Sequence, residues 1–140
     1  MAPLAAELGY AVSDAALASR LTALAGSEDD IVLIEEDEAG ELLGFIHGQR
    51  RRGLLGDERA EIVALVVAAG ARRRGSGRRL VDAVAGWAAE GGLGEIRVRT
   101  NVRRDDAAAF YAALGFAESK RQRVFERPAR GATAPDPDER

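Results

Sequence analysis

The chain passes from an apolar run into an amphipathic stretch through Arg72-Arg73-Arg74-Gly75-Ser76-Gly77, a junction that few folds accommodate. Before it, Ile62-Val63-Ala64-Leu65-Val66-Val67 has the length and continuity of a buried strand. After it, Leu80, Val81, Val84, Trp87 and Ala88 repeat at the spacing of a helix with one buried face. A glycine-rich bend from strand into helix aims unpartnered backbone N–H groups, and the positive end of the helix dipole, at one point. Such a point suits a phosphate or diphosphate, because the glycines admit close approach and the arginines add charge. A solvated basic helix start with a flexible turn is the alternative reading of the same residues.

Two nucleotide motifs fail on inspection. Gly70 and Gly75 have P-loop spacing, but Arg74 and Ser76 flank the second glycine where a Lys-Ser/Thr pair should follow it. Gly75-Ser76-Gly77-Arg78-Arg79-Leu80 opens like a dinucleotide fingerprint and then puts Leu80 where the third glycine belongs.

A length of 140 residues with 46% hydrophobic content fits one domain with a single core, expected over residues 1–127. Net charge is −3, which does not favour nucleic acid or an anionic membrane as partner, although arginines cluster at 50–52 and 72–79. Without cysteine there is no disulfide, thiol nucleophile or thiolate metal site. One histidine, His47, argues against a histidine-based metal centre or a Ser-His-Asp triad. No run approaches the roughly 20 apolar residues of a membrane span, and no leader pattern opens the chain, so a cytoplasmic location is expected.

Leu4, Leu8 and Val12 suggest a first helix, and Ser13 caps a second whose apolar stripe is Leu17, Leu21 and Leu24. Ile31 to Ile34 and Leu42 to Gln49 read as a hairpin around the acidic turn Glu36 to Glu41. A Gly/Arg-rich connection, Arg50 to Arg59, leads to the Ile62 strand, the basic bend and the Trp87 helix, which Gly91-Gly92 ends. Ile96 and Val98 alternate with Arg97 and Arg99 as a half-buried strand. A short helix starts at Asp105 or Asp106 and stops at Gly115, and Phe116 to Arg127 reads as a closing strand pair. From Pro128 the Pro- and charge-rich remainder, residues 128–140, is expected to be disordered. The order predicts a mixed α/β domain, an antiparallel hairpin first and then a strand–helix–strand–helix unit.

With this order, Arg72-x-x-Gly75-x-Gly77 resembles the Arg/Gln-x-x-Gly-x-Gly/Ala signature of the GNAT superfamily of N-acetyltransferases. Glu61-Ile62 and Leu65-Val66-Val67 precede it at family-like spacing. Phe110-Tyr111-Ala112-Ala113-Leu114-Gly115-Phe116 looks like the family's Tyr-x-x-x-Gly-Phe helix end. The resemblance covers residues 4–127 and implies a mixed, mostly antiparallel central sheet with flanking helices. It implies acetyl-CoA as donor, with no metal, and places its diphosphate on Arg72, Arg73, Arg74, Gly75, Ser76, Gly77 and Arg78. The pantetheine arm would pair with the backbone of Leu65, Val66 and Val67, and Asn101 would contact the coenzyme. A small-molecule primary amine, aminoglycoside-like or polyamine-like, is the expected acceptor, and homodimers are common in the family. A protein N-terminus or lysine as acceptor, or a coenzyme A-binding module without turnover, are the alternatives.

Acetyl transfer to an amine requires a base for the amine proton, a donor for the developing oxyanion and a proton for the leaving thiolate. Glu61 falls where the histone-acetylating branch carries its base; partial burial or a bound water would let a glutamate serve near neutrality. A strand-edge carboxylate paired with Arg59 or Arg97 is the competing reading. Tyr111 takes the position of the family's general acid, and a phenol can donate to a thiolate. The backbone N–H of Leu65 is the implied oxyanion donor. Two positions depart from the pattern. Arg104 stands seven residues before Tyr111, where many relatives have asparagine, and Asn101 stands ten before it. Met1-Ala2-Pro3 leaves little room for the family's first edge strand, which is then absent, supplied by a partner, or lost to a late start site. His47 and the carboxylates at 35–41 are read as bystanders.

Overall fold

The computed structural model describes Met1, Pro3 and residues 13–130. The helix expected over Leu4, Leu8 and Val12, and residues 131–140 of the expected tail, lie outside the described residues. Two compact units divide the chain, Met1–Arg99 and Thr100–Arg140.

In the first unit, Ser13 caps α1 (Asp14–Ala25), its Oγ accepting from the Ala16 N–H at 3.1 Å. Leu17, Leu21 and Leu24 form a half-buried stripe. β1 (Asp30–Glu36) and β2 (Leu42–Arg51) make the hairpin. Its acidic tip is ordered by Asp37, whose Oδ1 accepts from the Ala39 and Glu41 N–H groups, both at 2.9 Å. β2 runs to Arg51, so the connection to β3 (Arg59–Val67) is shorter than the spacing predicts. β4 (Ile96–Val98) completes a four-stranded sheet in the order β1-β2-β3-β4. The first two pairings are antiparallel and the last is parallel, as the expected mostly antiparallel sheet requires.

α2 (Ser76–Glu90) buries Leu80, Val81, Val84 and Ala88. Two glycines of β2 let it lie close to the sheet. A Cβ on Gly48 would fall 2.9 Å from Val84 Cγ1, and one on Gly44 would fall 3.2 Å from Leu80 Cδ1. Ala60, Ala88 and Leu93 pack together with Trp87 and Ile96 against them. Phe45 alternates with Gly44, so it faces away from α2, and there it packs with Val66, Met1, Leu42 and Ala68.

Between Gly48↔Ile62 and His47↔Ala64 the register of β2 and β3 shifts, leaving Val63 as the extra residue of a β-bulge. A bulge reverses which face each later side chain takes. Glu61 therefore shares the face turned from α2, and so does Ala64, three residues on.

The second unit holds α3 (Asp105–Ala113), with Asp105 and Asp106 in the first turn where the helix dipole favours negative charge. Gly115, at φ 92°, turns the chain out of it. The expected closing strand pair over Phe116 to Arg127 is not formed: no residue of that segment is in a strand. The segment Glu118-Ser119-Lys120-Arg121-Gln122-Arg123 is polar and exposed throughout, leaving Val124 and Phe125, 74% and 86% exposed, without an apolar face to build on. Ladder bonds to another strand are what an extended segment needs, and this one has none among the described residues.

Candidate active site

β3 leads directly into the basic bend. The Ala68 N–H donates to the Leu43 carbonyl at 2.7 Å, and a 3₁₀ turn over Ala69–Ala71 follows. Arg73 and Gly75 then take left-handed backbone, φ 67° and 85°. Gly75 starts α2 without any side-chain cap, and the first helical bond runs from the Arg79 N–H to its carbonyl at 2.9 Å. The N–H groups of Gly75, Ser76, Gly77 and Arg78 meet no acceptor among the described residues. Four amide protons thus converge at the positive end of a fifteen-residue helix.

The surrounding arginines differ in their engagement. Arg79 donates to the Arg74 carbonyl at 3.1 Å, to Ser76 Oγ at 3.3 Å and to Glu35 on β1. Arg72 reaches the Val67 carbonyl at 3.3 Å, and Arg78 lies 3.9 Å from Asp82. The side chains of Arg73 and Arg74 are exposed and meet no partner among the described residues. None of these contacts puts an acceptor on the free amides, so the bend is braced by its own side chains and left open to an anion.

Upstream, β3 and β4 part. Their pairing covers Ala60↔Ile96, Glu61↔Arg97 and Ile62↔Val98 and stops there. From Val63 to Val67 that edge of β3 has no strand beside it among the described residues. In an antiparallel ladder, bonded and non-bonded pairs alternate. The Ala68–Leu43 bond sets the phase, so Val66 and Ala64 point their backbone groups at β2 while Leu65 and Val67 point theirs outward. The parting therefore leaves the N–H and C=O of Leu65 and the N–H of Val67 turned to that edge, while the Val67 carbonyl accepts from Arg72 where the edge meets the bend.

At the other end of β3, Glu61 is buried. Its Oε2 accepts from Arg51 Nε at 2.7 Å and its Oε1 from Arg99 Nη1. The residues expected to pair with it, Arg59 and Arg97, do not; Arg59 lies 4.0 Å from Glu95 instead. Arg51 and Arg99 escape a reading from the sequence because β2 was expected to end at Gln49. The signal was the alternation itself, since Gln49 and Arg51, and Arg97 and Arg99, share the Glu61 face. A cavity of about 520 Å³ opens here beside the connection between β2 and β3.

On the same face, Asp30 accepts from His47 Nε2 at 2.7 Å, Gln49 Nε2 at 2.9 Å and Ser27 Oγ at 2.8 Å. Burial pushes the Asp30 carboxyl up, and the bonds from His47, Ser27 and Gln49 outweigh it, holding the group below its usual 3.8. His47 is thereby engaged in the strand framework.

In the second unit, Asn101 Oδ1 accepts from the Arg103 N–H and its carbonyl from the Arg104 N–H, both at 2.9 Å. Tyr111 is half-buried, edge-to-face with Phe110 at 5.0 Å and with Phe116 at 5.5 Å. Among the described residues no group of three His, Cys, Asp or Glu side chains could hold a metal ion, and no helix is long and apolar enough to cross a membrane.

Comparison with known proteins adds three observations. The profile of the Acetyltransferase (GNAT) family matches residues 5–116. No curated protein sequence matches the chain. Several solved structures share its fold. The aminoglycoside 6′-N-acetyltransferase AAC(6′)-Iy, in complex with the bisubstrate analog CoA-S-monomethyl-acetylneamine, superposes with a TM-score of 0.82 at 20% identity, over 91% of this chain and 88% of that one. The apo enzyme AAC(6′)-IG from Acinetobacter haemolyticus gives 0.74 at 16% identity, over 84% and 83%. A transcriptional regulator from Bacillus halodurans C-125 gives 0.71 at 24% identity, over 79% and 74%.

Proposed function

Because the chain belongs to the acetyltransferase (GNAT) family and is an acetyl-CoA-dependent N-acetyltransferase, we propose that it transfers the acetyl group to a small-molecule primary amine through Glu61, Leu65 and Tyr111. The observation carrying this reading is the continuity of the outward N–H and C=O of Leu65 and N–H of Val67 with the four amides of Gly75 to Arg78 that meet no acceptor among the described residues. Those groups fit the coenzyme: strand-like donors and acceptors for an amide-bearing arm, then a cluster of N–H groups with Arg73 and Arg74 for a diphosphate. Bound there, acetyl-CoA supplies an activated acetyl thioester.

Glu61 acts as base. Both of its oxygens already accept from guanidinium groups, so a bridging water is its route to the amine proton. The Leu65 N–H, turned out of the ladder, is free to donate to a carbonyl oxygen that gains charge. The Tyr111 hydroxyl donates its proton to the departing thiolate as the C–N bond forms and the C–S bond breaks. That aminoglycoside acetyltransferases are among the structural neighbours supports a small-molecule acceptor. Incubating the protein with acetyl-CoA and a panel of amines, with detection of free thiol, tests the reading. Amine-dependent thiol release is expected; coenzyme binding without release from any amine would make the chain a binding module.

A further inference from the structure

We infer that the acceptor carries a carboxylate or phosphate beside its primary amine, and that the arginine-lined cavity at the start of β3 holds this oxyanion. The inference rests on the acetyl-transfer reading and narrows its acceptor. Arg51, Arg52, Arg59, Arg97 and Arg99 all line the cavity, against two carboxylates, Asp57 and Glu61. Glu61 is 7% exposed, while Arg51 and Arg99, which it tethers, are 56% and 55% exposed. One buried carboxylate offsets one of these guanidinium groups, so the trio presents a net positive charge to the cavity from fixed positions.

The Arg97 side chain has no hydrogen bond or ion pair among the described residues, and the Arg59 contact with Glu95 is long at 4.0 Å. Arg52 is engaged by Glu58 and Asp29 and belongs to the rim. Guanidinium groups pair two N–H donors with two oxygens of a carboxylate or phosphate. A polycationic acceptor would meet like charge on most of the charged side chains of the lining. Leu54 and Leu55, fully exposed on the connecting loop beside the arginines, offer apolar cover for the rest of such a molecule. The coenzyme's own phosphates do not explain the charge, because Glu61 and the bend after Val67 are separated by roughly 20 Å of strand.

The test uses the full chain, acetyl-CoA and matched amines: γ-aminobutyrate against butylamine, phosphoethanolamine against ethanolamine, and one aminoglycoside. The anionic member of at least one pair should exceed its neutral partner in kcat/KM by about 10-fold or more, and which pair responds tells carboxylate from phosphate. Arg97→Gln should abolish that advantage through KM, and Arg59→Gln serves if Arg97→Gln fails to fold by circular dichroism. Equal or better turnover of the neutral amines or the aminoglycoside overturns the inference and leaves acetyl transfer standing. Calorimetry with the same anionic amines, without coenzyme, separates the two claims. Binding that Arg97→Gln weakens, with no thiol release from any amine, supports the anion site and sinks acetyl transfer. Neither binding nor release overturns both.

Discussion

Arg79 on α2 reaches Glu35 on β1, its Nη2 2.5 Å and its Nε 2.9 Å from Oε1, while its other nitrogen holds the Arg74 carbonyl. The second oxygen of Glu35 is buried and meets no donor among the described residues, so among them this carboxylate is held by Arg79. Arg79→Ala should lower stability by about 1–3 kcal/mol and weaken coenzyme binding by loosening the bend. Adding Glu35→Gln should recover part of the stability in thermal melts without restoring affinity by calorimetry. Recovery of both would make the pair a fold contact with no bearing on the bend.

Gly75 combines φ 85° with a Cβ position 2.9 Å from Arg79 Nη1. Gly75→Ala should cost about 1–2 kcal/mol from left-handed backbone alone, visible as a lower Tm, and should displace Arg79 as well. Coenzyme affinity should fall more steeply than for a substitution of equal stability cost elsewhere on α2.

Tyr111→Phe keeps both edge-to-face ring contacts and removes only the hydroxyl. The proposed acid role predicts a loss of kcat of about 10²-fold or more with coenzyme binding intact. Unchanged kcat would assign the ring to packing against Phe110 and Phe116.

Glu61→Gln retains an oxygen to accept from one arginine and loses the charge that both arginines share. If Glu61 is the base, kcat should drop by about 10²-fold and the acid limb of its pH profile should disappear. Near-native turnover from about pH 6 to 9 would leave Glu61 as the tether of Arg51 and Arg99.

Asp30 supplies a pH dependence of stability. A carboxyl held lower in the fold than in the unfolded chain stabilises the fold above its unfolded value, and that contribution is lost as pH falls through the folded value. Thermal melts of the native protein should therefore decline as pH drops below about 3.8. Asp30→Asn should lower Tm at neutral pH and flatten that decline; an unaltered acid slope would place the dependence on other carboxylates.

Much of the framework was legible because its signals are local. The apolar run at 62–67, the stripe from Leu80 to Ala88 and the cap at Ser13 each dictate an element within a turn or two. The bend was legible for the same reason, since Gly75 is where left-handed backbone is needed. What escaped depends on pairing. The bulge at Val63 leaves no mark in a residue as suited to strands as valine, yet it decides which side chains accompany Glu61. The partners of Glu61 follow from how far β2 runs, to Arg51 rather than Gln49. Phe116 to Arg127 carries isolated apolar residues that would suit a strand, but whether they pair depends on a neighbour the segment itself cannot specify.

The central claim is that parted strands and a free amide cluster hold the coenzyme, and calorimetric titration of coenzyme A and acetyl-CoA into the protein addresses it most directly. Saturable binding is expected for both, weakened by Gly75→Ala and by Arg79→Ala. Absence of heat from either compound up to about 1 mM, with the protein folded by circular dichroism, would contradict it.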